Sequence, residues 1–115
     1  MTQTATDTVR TTSIGVPGRA LNQARSHYFI LDSSSAPREA LTNSEAFLAG
    51  ISSCGVTLIE NYAQHHGVPL QGMDVTISGV RAERPARFER IAMRFELRGV
   101  DQAEADRLVG VWRER

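Results

Sequence analysis

One long helix constrains the fold of this chain more than any other feature. Its start is marked by Thr42-Asn43-Ser44-Glu45, where the Thr hydroxyl can accept a hydrogen bond from the third helical N–H and the Glu side chain can reach back to the cap. Gly67 can then adopt the left-handed conformation that ends a helix, and Pro69 cannot continue one. This spacing predicts a helix of about 24 residues, roughly 36 Å long. Because its first half is apolar on nearly every side, we expect it to lie in the middle of the fold.

The sequence before this helix is typical of β-structure. Residues 9–16 and 20–31 are two β-like segments, and Pro17-Gly18 marks a turn between them. The apolar run over residues 27–31 is too continuous to face water on both sides, which predicts a largely buried strand. Serines and a proline then indicate a polar loop over residues 32–41.

The sequence after the helix predicts a hairpin and a second helix. Apolar and polar residues alternate over residues 73–82 and, most clearly, over 91–98, and the polar stretch 83–87 between them is a hairpin-like connection. Asp101 with Glu104 is a second capping signature, and it precedes an apolar stripe made of Leu108, Val111 and Trp112. The order of strands, long helix, hairpin and helix is α+β. We expect one domain over residues 1–115, with residues 1–12 as a flexible tail.

Composition excludes several classes of partner. Lys plus Arg and Asp plus Glu both number 13 in 115 residues, so no basic field favours nucleic acid or an anionic membrane. No apolar run approaches the roughly 18 residues that a membrane-spanning helix needs. The N-terminus lacks the basic start and hydrophobic centre of a signal peptide. With a single cysteine and no disulfide possible within the chain, a cytoplasmic location is favoured.

Cys54 is that single cysteine, and its surroundings leave two interpretations open. Its neighbours in the predicted helix are small: Ala49, Gly50, Ser52, Ser53 and Gly55. Each helical glycine costs about 1 kcal/mol relative to alanine, so close approach of something to this surface should compensate. Tight packing of another helix, in the same chain or across a dimer interface, would do so. The alternative is that small side chains give a substrate access to a nucleophilic sulfur.

A nucleophilic Cys54 needs partners from elsewhere in the chain. An unperturbed thiol is only a few per cent thiolate at pH 7, so a cation must stabilise the anion. The arginines of the N-terminal segments, Arg19, Arg25 and Arg38, are the candidates. His65 is about 16 Å further along the helix, too far to act as the base. The sequence contains no signature of a metal cluster, nucleotide or flavin site, so no cofactor is expected.

Several segments, taken in order, resemble the family of osmotically inducible protein OsmC and organic hydroperoxide resistance protein Ohr. The first is His27-Tyr28-Phe29-Ile30-Leu31-Asp32, a strand that ends in an acid. The second is the stretch from Glu45 to Cys54, with an Ala/Leu-rich turn and small residues before the cysteine. Gly67-Val68-Pro69-Leu70 and the later hairpin and helix continue the match. The resemblance covers about residues 25–115.

The resemblance implies a curved antiparallel sheet on a long central helix, in an intertwined homodimer with active sites at the subunit interface. It implies a thiol-dependent peroxidase in which Cys54 is the peroxidatic thiolate, Glu45 orients the activating arginine, and Arg19 is that arginine. Phe47, Ile51 and Leu58, on the Cys54 face of the helix, are the expected substrate contacts. A hydroperoxide and an external thiol or dithiol reductant would be the partners. Glu45 lies nine residues before Cys54, which places the two side chains on opposite sides of a straight helix. If they cooperate, the helix must break near Gly50 or Glu45 must serve another subunit's thiol.

The chain also departs from the family pattern. The family's second, resolving cysteine follows the last helix in a Cys-Pro pair, and this sequence ends at Arg115, about where that pair would begin. A fragment of a two-cysteine enzyme is therefore one expectation. Another is a non-catalytic homodimer that binds a small apolar ligand between its subunits.

Overall fold

The structure is a computed structural model, which describes residues 4–82 and 87–114. Its elements, in chain order, are β1 (Arg10–Ser13), β2 (Arg19–Ala24), β3 (His27–Asp32), α1 (Asn43–His65), β4 (Gly72–Ala82), β5 (Arg87–Arg98) and α2 (Gln102–Arg113). This arrangement confirms the α+β prediction. Backbone contacts divide the chain into two compact units, Met1–Phe47 and Leu48–Arg115, so a single domain over 1–115 stays a prediction. No helix of the described residues is long and apolar enough to cross a membrane.

The first unit contains an antiparallel sheet in the order β1-β2-β3. Strand β1 begins at Arg10, inside the segment expected to be a tail, because it pairs with β2 from Arg10 opposite Gln23 to Ser13 opposite Ala20. The predicted segment 20–31 is two strands rather than one. They are joined by a two-residue turn at which Arg25 takes a positive φ of 56°, and no glycine, asparagine or proline marks that turn in the sequence.

Strand β3 is not buried in this chain, contrary to the prediction. Tyr28, Phe29 and Ile30 are 62%, 44% and 42% exposed, and only Asp32 at the strand's end is fully buried. Successive residues of a strand point to opposite faces of the sheet, so these exposures show that neither face of β3 is covered by the described residues.

The second unit contains the apolar core. Strands β4 and β5 pair antiparallel from Gly72 opposite Arg98 to Ala82 opposite Arg87; residues 83–86 of the predicted connection lie outside the described residues. Half-buried residues alternate with exposed ones from Met93 to Leu97, as predicted, but Ile91 is exposed. Residues from the hairpin and both helices pack around three buried side chains, Ile59, Ala63 and Leu108. Helix α2 starts as predicted, since the Asp101 carboxylate accepts from the N–H of Glu104 at 2.9 Å.

Helix α1 begins and ends as the sequence predicts. Thr42 Oγ1 accepts from the Glu45 N–H at 3.1 Å, and Glu45 Oε1 accepts from the Thr42 N–H at 2.9 Å. At the other end Gly67 has a φ of 66°, and the Val68 N–H donates to the Ala63 carbonyl at 2.9 Å. The helix is continuous at Gly50, so the break that would turn Glu45 toward Cys54 is not present. The expectation of a buried first half is wrong for this chain, since the buried residues are Gly55, Ile59 and Ala63.

Candidate functional site

Cys54 lies on an exposed face of α1, where it borders a groove between α1 and α2. The thiol is free and exposed to solvent. The groove has a volume of about 770 Å³. It is lined by Ser53, Cys54, Thr57, Leu58, Asn61, Tyr62, His65, His66, Val111 and Trp112. The α1 residues in this set recur at three- and four-residue spacings, which places them on one helical face.

Gly55 lies where the indole of Trp112 packs against α1. A Cβ added at Gly55 would lie 3.4 Å from Trp112 Cε2 and 3.7 Å from Met93 Cε. These are ordinary contact distances, so this buried position has room for a methyl group but not for a larger side chain, and the indole forms a wall of the groove. Gly50 is different, because an added Cβ there would meet nothing within 4 Å. Packing within the chain therefore limits the size of the side chain at position 55 and not at position 50.

The far end of the groove is polar. His65 Nδ1 is 2.7 Å from the Asn61 carbonyl oxygen and His66 Nδ1 is 2.9 Å from that of Tyr62, so both rings can donate to carbonyls of the last turn. The rings of Tyr62 and His66 stack with centroids 3.9 Å apart. With Nδ1 used in this way, Nε2 of each histidine is the nitrogen available to a ligand.

The three predicted substrate contacts do not all line the groove. Leu58 lines the groove beside Cys54. Ile51 is half-buried and is not among the groove's lining residues in the described part of the chain. Phe47 belongs to the first unit, and its side chain is 57% exposed.

Glu45 is held at the start of α1 by its capping hydrogen bonds. Hydrogen bonds from the backbone and the side chain of Thr42 lower the pKa of Glu45, and the positive charge of Arg38 adds to that lowering. The carboxylate is therefore a fixed anion at neutral pH. Fixed placement and negative charge are what a residue that orients a guanidinium requires.

Arg19 is engaged in an ion pair inside the first unit. Its Nε donates to Asp32 Oδ2 at 3.0 Å, and the two side chains are 18% and 0% exposed. Its Nη2 donates to the Pro37 carbonyl at 3.4 Å, and Nη1 is 3.8 Å from Glu39 Oε2. Each guanidinium nitrogen thus has a partner on β3 or on the loop that follows it.

Residues 36–115 match the family model described as OsmC-like protein. The match includes helix α1, the hairpin and α2. The chain belongs to the OsmC-like family. No curated protein matches it in sequence.

Solved structures show the same fold for the OsmC-like chain. An OsmC-like protein from Mycoplasma pneumoniae superposes with a TM-score of 0.88 at 12% identity, covering 98% of this chain and 84% of that one. An organic hydroperoxide resistance protein OsmC from Legionella pneumophila gives a TM-score of 0.74 at 18% identity, covering 98% and 85%. The organic hydroperoxide resistance protein OhrB of Bacillus subtilis gives 0.70 at 15% identity, covering 96% and 84%. At these identities the likeness shows the fold alone.

Some groove residues of this OsmC-like chain were not predicted from its sequence. Thr57, Tyr62, Val111 and Trp112 line the groove, and the sequence placed Val111 and Trp112 only in the apolar stripe of the second helix. The signal was present in part, since Leu58, Asn61 and His65 follow Cys54 at helical spacing. The contribution of α2 depends on a contact between distant residues that no local pattern reveals.

Within residues 4–82 and 87–114, no group of three His, Cys, Asp or Glu side chains could hold a metal ion.

Proposed function

We propose that this OsmC-like protein is a thiol-dependent peroxidase in oxidative-stress defence that reduces organic hydroperoxides or hydrogen peroxide through Cys54. The observation that carries the proposal is the position of the single cysteine, exposed on a helix and bordering a groove with an apolar wall. A peroxide oxygen must reach the sulfur directly, and an exposed thiol allows this. The names of the Legionella and Bacillus proteins, both organic hydroperoxide resistance proteins, point to the same chemistry.

In the proposed reaction the Cys54 thiolate attacks the distal oxygen of the hydroperoxide. A sulfur–oxygen bond forms, the oxygen–oxygen bond breaks, and the alkoxide that leaves takes up a proton to become an alcohol. The sulfenic acid on Cys54 then condenses with an external thiol, releasing water and forming a mixed disulfide. A second external thiol displaces Cys54 as a thiol, so two thiols are oxidised for each hydroperoxide reduced.

The family resemblance supplies the supporting roles in this proposal. Glu45 orients a guanidinium that stabilises the thiolate, and the resemblance gives Arg19 as its source. Leu58 contacts the organic part of the substrate in the groove, and Phe47 and Ile51 are further candidates on the same helix. The proposal includes a homodimer that completes the site, acts in the cytoplasm and uses an external thiol or dithiol as reductant.

Steady-state turnover of cumene hydroperoxide with a dithiol donor tests the proposal. Wild-type protein is expected to consume the peroxide, and Cys54→Ser to lose at least about 100-fold in rate because the serine hydroxyl is not ionised at pH 7. Ser52→Ala is the matched control, since this neighbouring residue does not line the groove and its hydroxyl donates only to the Ala49 carbonyl. Equal rates for wild type and Cys54→Ser would refute the proposal.

The alternative function is binding of a small apolar ligand by a non-catalytic homodimer. The apolar side chains in the groove, including Leu58, Val111 and Trp112, favour it. The pH midpoint of Cys54 alkylation separates the two functions. A midpoint like that of a free thiol, near pH 8.5, favours binding, whereas a midpoint well below it favours catalysis.

A further inference from the structure

The groove that Cys54 borders has two chemically different ends, and all of its lining residues lie in the second unit. The apolar lining comes from both helices and includes Leu58, Val111 and Trp112. The polar end carries His65 and His66. At the rise of an α-helix, His65 lies about 16 Å from Cys54 along the axis of α1. A single small molecule can therefore reach both ends only if it is long and narrow.

The hydrogen bonds of the two histidines determine which kind of ligand their rings can bind. Nδ1 of His65 lies 2.7 Å from the Asn61 carbonyl oxygen, and Nδ1 of His66 lies 2.9 Å from that of Tyr62. Because a carbonyl oxygen only accepts, each Nδ1 must carry the hydrogen. In an uncharged imidazole the other nitrogen then holds a lone pair. Nε2 of each ring is therefore a hydrogen-bond acceptor.

The backbone adds to the acceptor character of this end. Helix α1 ends at His65, and the carbonyl groups of its last turn form the negative end of the helix dipole. A carboxylate would bring further lone pairs and a negative charge to this end, which opposes its binding. A hydroxyl or an ammonium group can donate to Nε2, and an ammonium group also has the sign of charge that the dipole favours.

One of the two acceptors is held in place before any ligand binds. The rings of His66 and Tyr62 stack with their centroids 3.9 Å apart and their planes 16° from parallel. The same imidazole is tied to the Tyr62 carbonyl through Nδ1. A ring that is already fixed in two ways loses little conformational entropy on binding, so His66 Nε2 is a preorganised acceptor.

We infer that the groove binds a linear amphipathic molecule, with its body along the apolar lining and a head group that donates hydrogen bonds to His65 and His66. An extended chain advances about 1.2 Å per bond, so roughly 13 bonds would separate this head from a group at Cys54. The inference rests on the proposed peroxidase function and names its substrate class: linear hydroperoxides that carry a hydroxyl or amine head far from the peroxide group.

Four probes with the same ten-carbon chain and different heads test the inference in the full chain. They are decylamine, 1-decanol, decyltrimethylammonium and decanoate. Trp112 is the single tryptophan and lines the groove, so its fluorescence reports binding. At about pH 8, where imidazole as a group is uncharged, decylamine should bind at least about fivefold more tightly than decyltrimethylammonium, which has the charge but no N–H. Decanoate should bind more weakly than decylamine and 1-decanol.

Replacement of both histidines by asparagine removes the proposed acceptors. An asparagine amide can take the place of Nδ1 and donate to the carbonyl one turn back, but no atom replaces Nε2. His65→Asn/His66→Asn should therefore bind decylamine at least about fivefold more weakly and decyltrimethylammonium as wild type does. His27→Asn is the matched control, since this third histidine lies on β3 and does not line the groove, and its affinities should equal those of wild type.

Several results would overturn the inference. These are a tighter binding of decanoate than of decylamine, equal affinities for decylamine and decyltrimethylammonium, and absence of binding by every probe. A preference for decylamine that persists in His65→Asn/His66→Asn would also overturn it. The comparison of probes on the wild-type protein decides the inference even if the double variant does not fold.

The probes contain no peroxide, so the test is separate from that of the proposed function. Turnover of cumene hydroperoxide without a preference among the probes would refute the inference and leave the peroxidase intact. A preference for donor heads without turnover would refute the peroxidase and keep the assigned ligand class, which would then belong to the alternative function of ligand binding.

Discussion

At the scale of single residues, the two glycines that flank Cys54 show how one sequence signal can have two causes. Small residues around a cysteine predict close approach of a neighbour, and at Gly55 that neighbour is the indole of Trp112. At Gly50 the space is open. A helical glycine lowers stability relative to alanine, and at Gly50 no packing contact within the chain compensates for that loss. A contact with another molecule at this position would compensate for it.

Paired valine substitutions distinguish the two positions. Gly55→Val should lower the free energy of unfolding by roughly 1–3 kcal/mol, because its methyl groups would push into Trp112 and Met93. Gly50→Val, the control, should be neutral or stabilise by a few tenths of a kcal/mol, as expected from helix propensity alone. Thermal unfolding measures both effects, and fluorescence of the single tryptophan should report a changed environment only for Gly55→Val. Destabilisation by Gly50→Val of a size comparable to Gly55→Val would show that another surface, such as a second copy of the chain, packs there.

At the scale of elements, local chemistry determined what could be predicted from the sequence. The capping pairs Thr42–Glu45 and Asp101–Glu104 and the terminal Gly67 are short-range signals, and each functions in the structure as expected. The turn at Arg25 was missed because an arginine occupies a left-handed conformation that usually calls for glycine or asparagine. The Asp32 cluster, in which Ser34, Glu39 and Arg19 donate hydrogen bonds to the buried Asp32 carboxylate, was missed for another reason. Arg19 is 13 residues away and comes opposite Asp32 only when β2 and β3 pair.

The Asp32 cluster predicts a specific dependence of stability on pH. Hydrogen bonds from the Ser34 hydroxyl and the Glu39 N–H, with the charge of Arg19 as a smaller contribution, hold the pKa of Asp32 far below the ordinary value of an aspartate. The unfolded chain therefore takes up this proton at a higher pH than the folded chain does. The stabilisation is complete above about pH 5 and is lost progressively as the pH falls through the unfolded pKa and below it.

Asp32→Asn tests this dependence. The variant should have a Tm about 5–10 °C below wild type at pH 7, and the difference should shrink between about pH 5 and pH 2 because only the wild type loses this contribution on acidification. Asp74→Asn is the control, since that exposed carboxylate pairs with Arg98 at the surface. Wild type and Asp32→Asn curves that run parallel over this range would contradict the assignment of Asp32 as a stabilising anion.

At the scale of the whole molecule, few apolar side chains of the described residues are buried. Ile59, Ala63 and Leu108 are the buried apolar side chains among the described residues, whereas Tyr28, Phe29 and Ile30 on β3 are well exposed. The sequence predicted that this strand would be covered, and one chain does not cover it. Contiguous exposed apolar residues of this kind mark surfaces that bind another protein or a ligand. The prediction of a buried strand is wrong for the described chain, because an apolar run in a sequence does not show whether anything in that chain covers it.

A second copy of the chain is the occupant that the proposed homodimer supplies, and mass measurement in solution tests it. Light scattering is expected to give twice the 12.6 kDa of one chain at micromolar concentration. Successive strand residues face opposite sides, so Phe29→Arg places a charge on one face of β3 and Ile30→Arg on the other. At least one of them should return the protein to the mass of a single chain, because an unpaired buried charge is not tolerated in an interface. Thr12→Arg, on the exposed strand β1, is the control and should remain a dimer. A wild-type protein with the mass of one chain at about 100 µM, or a dimer that tolerates both β3 substitutions, would show that β3 is covered by something other than a second copy.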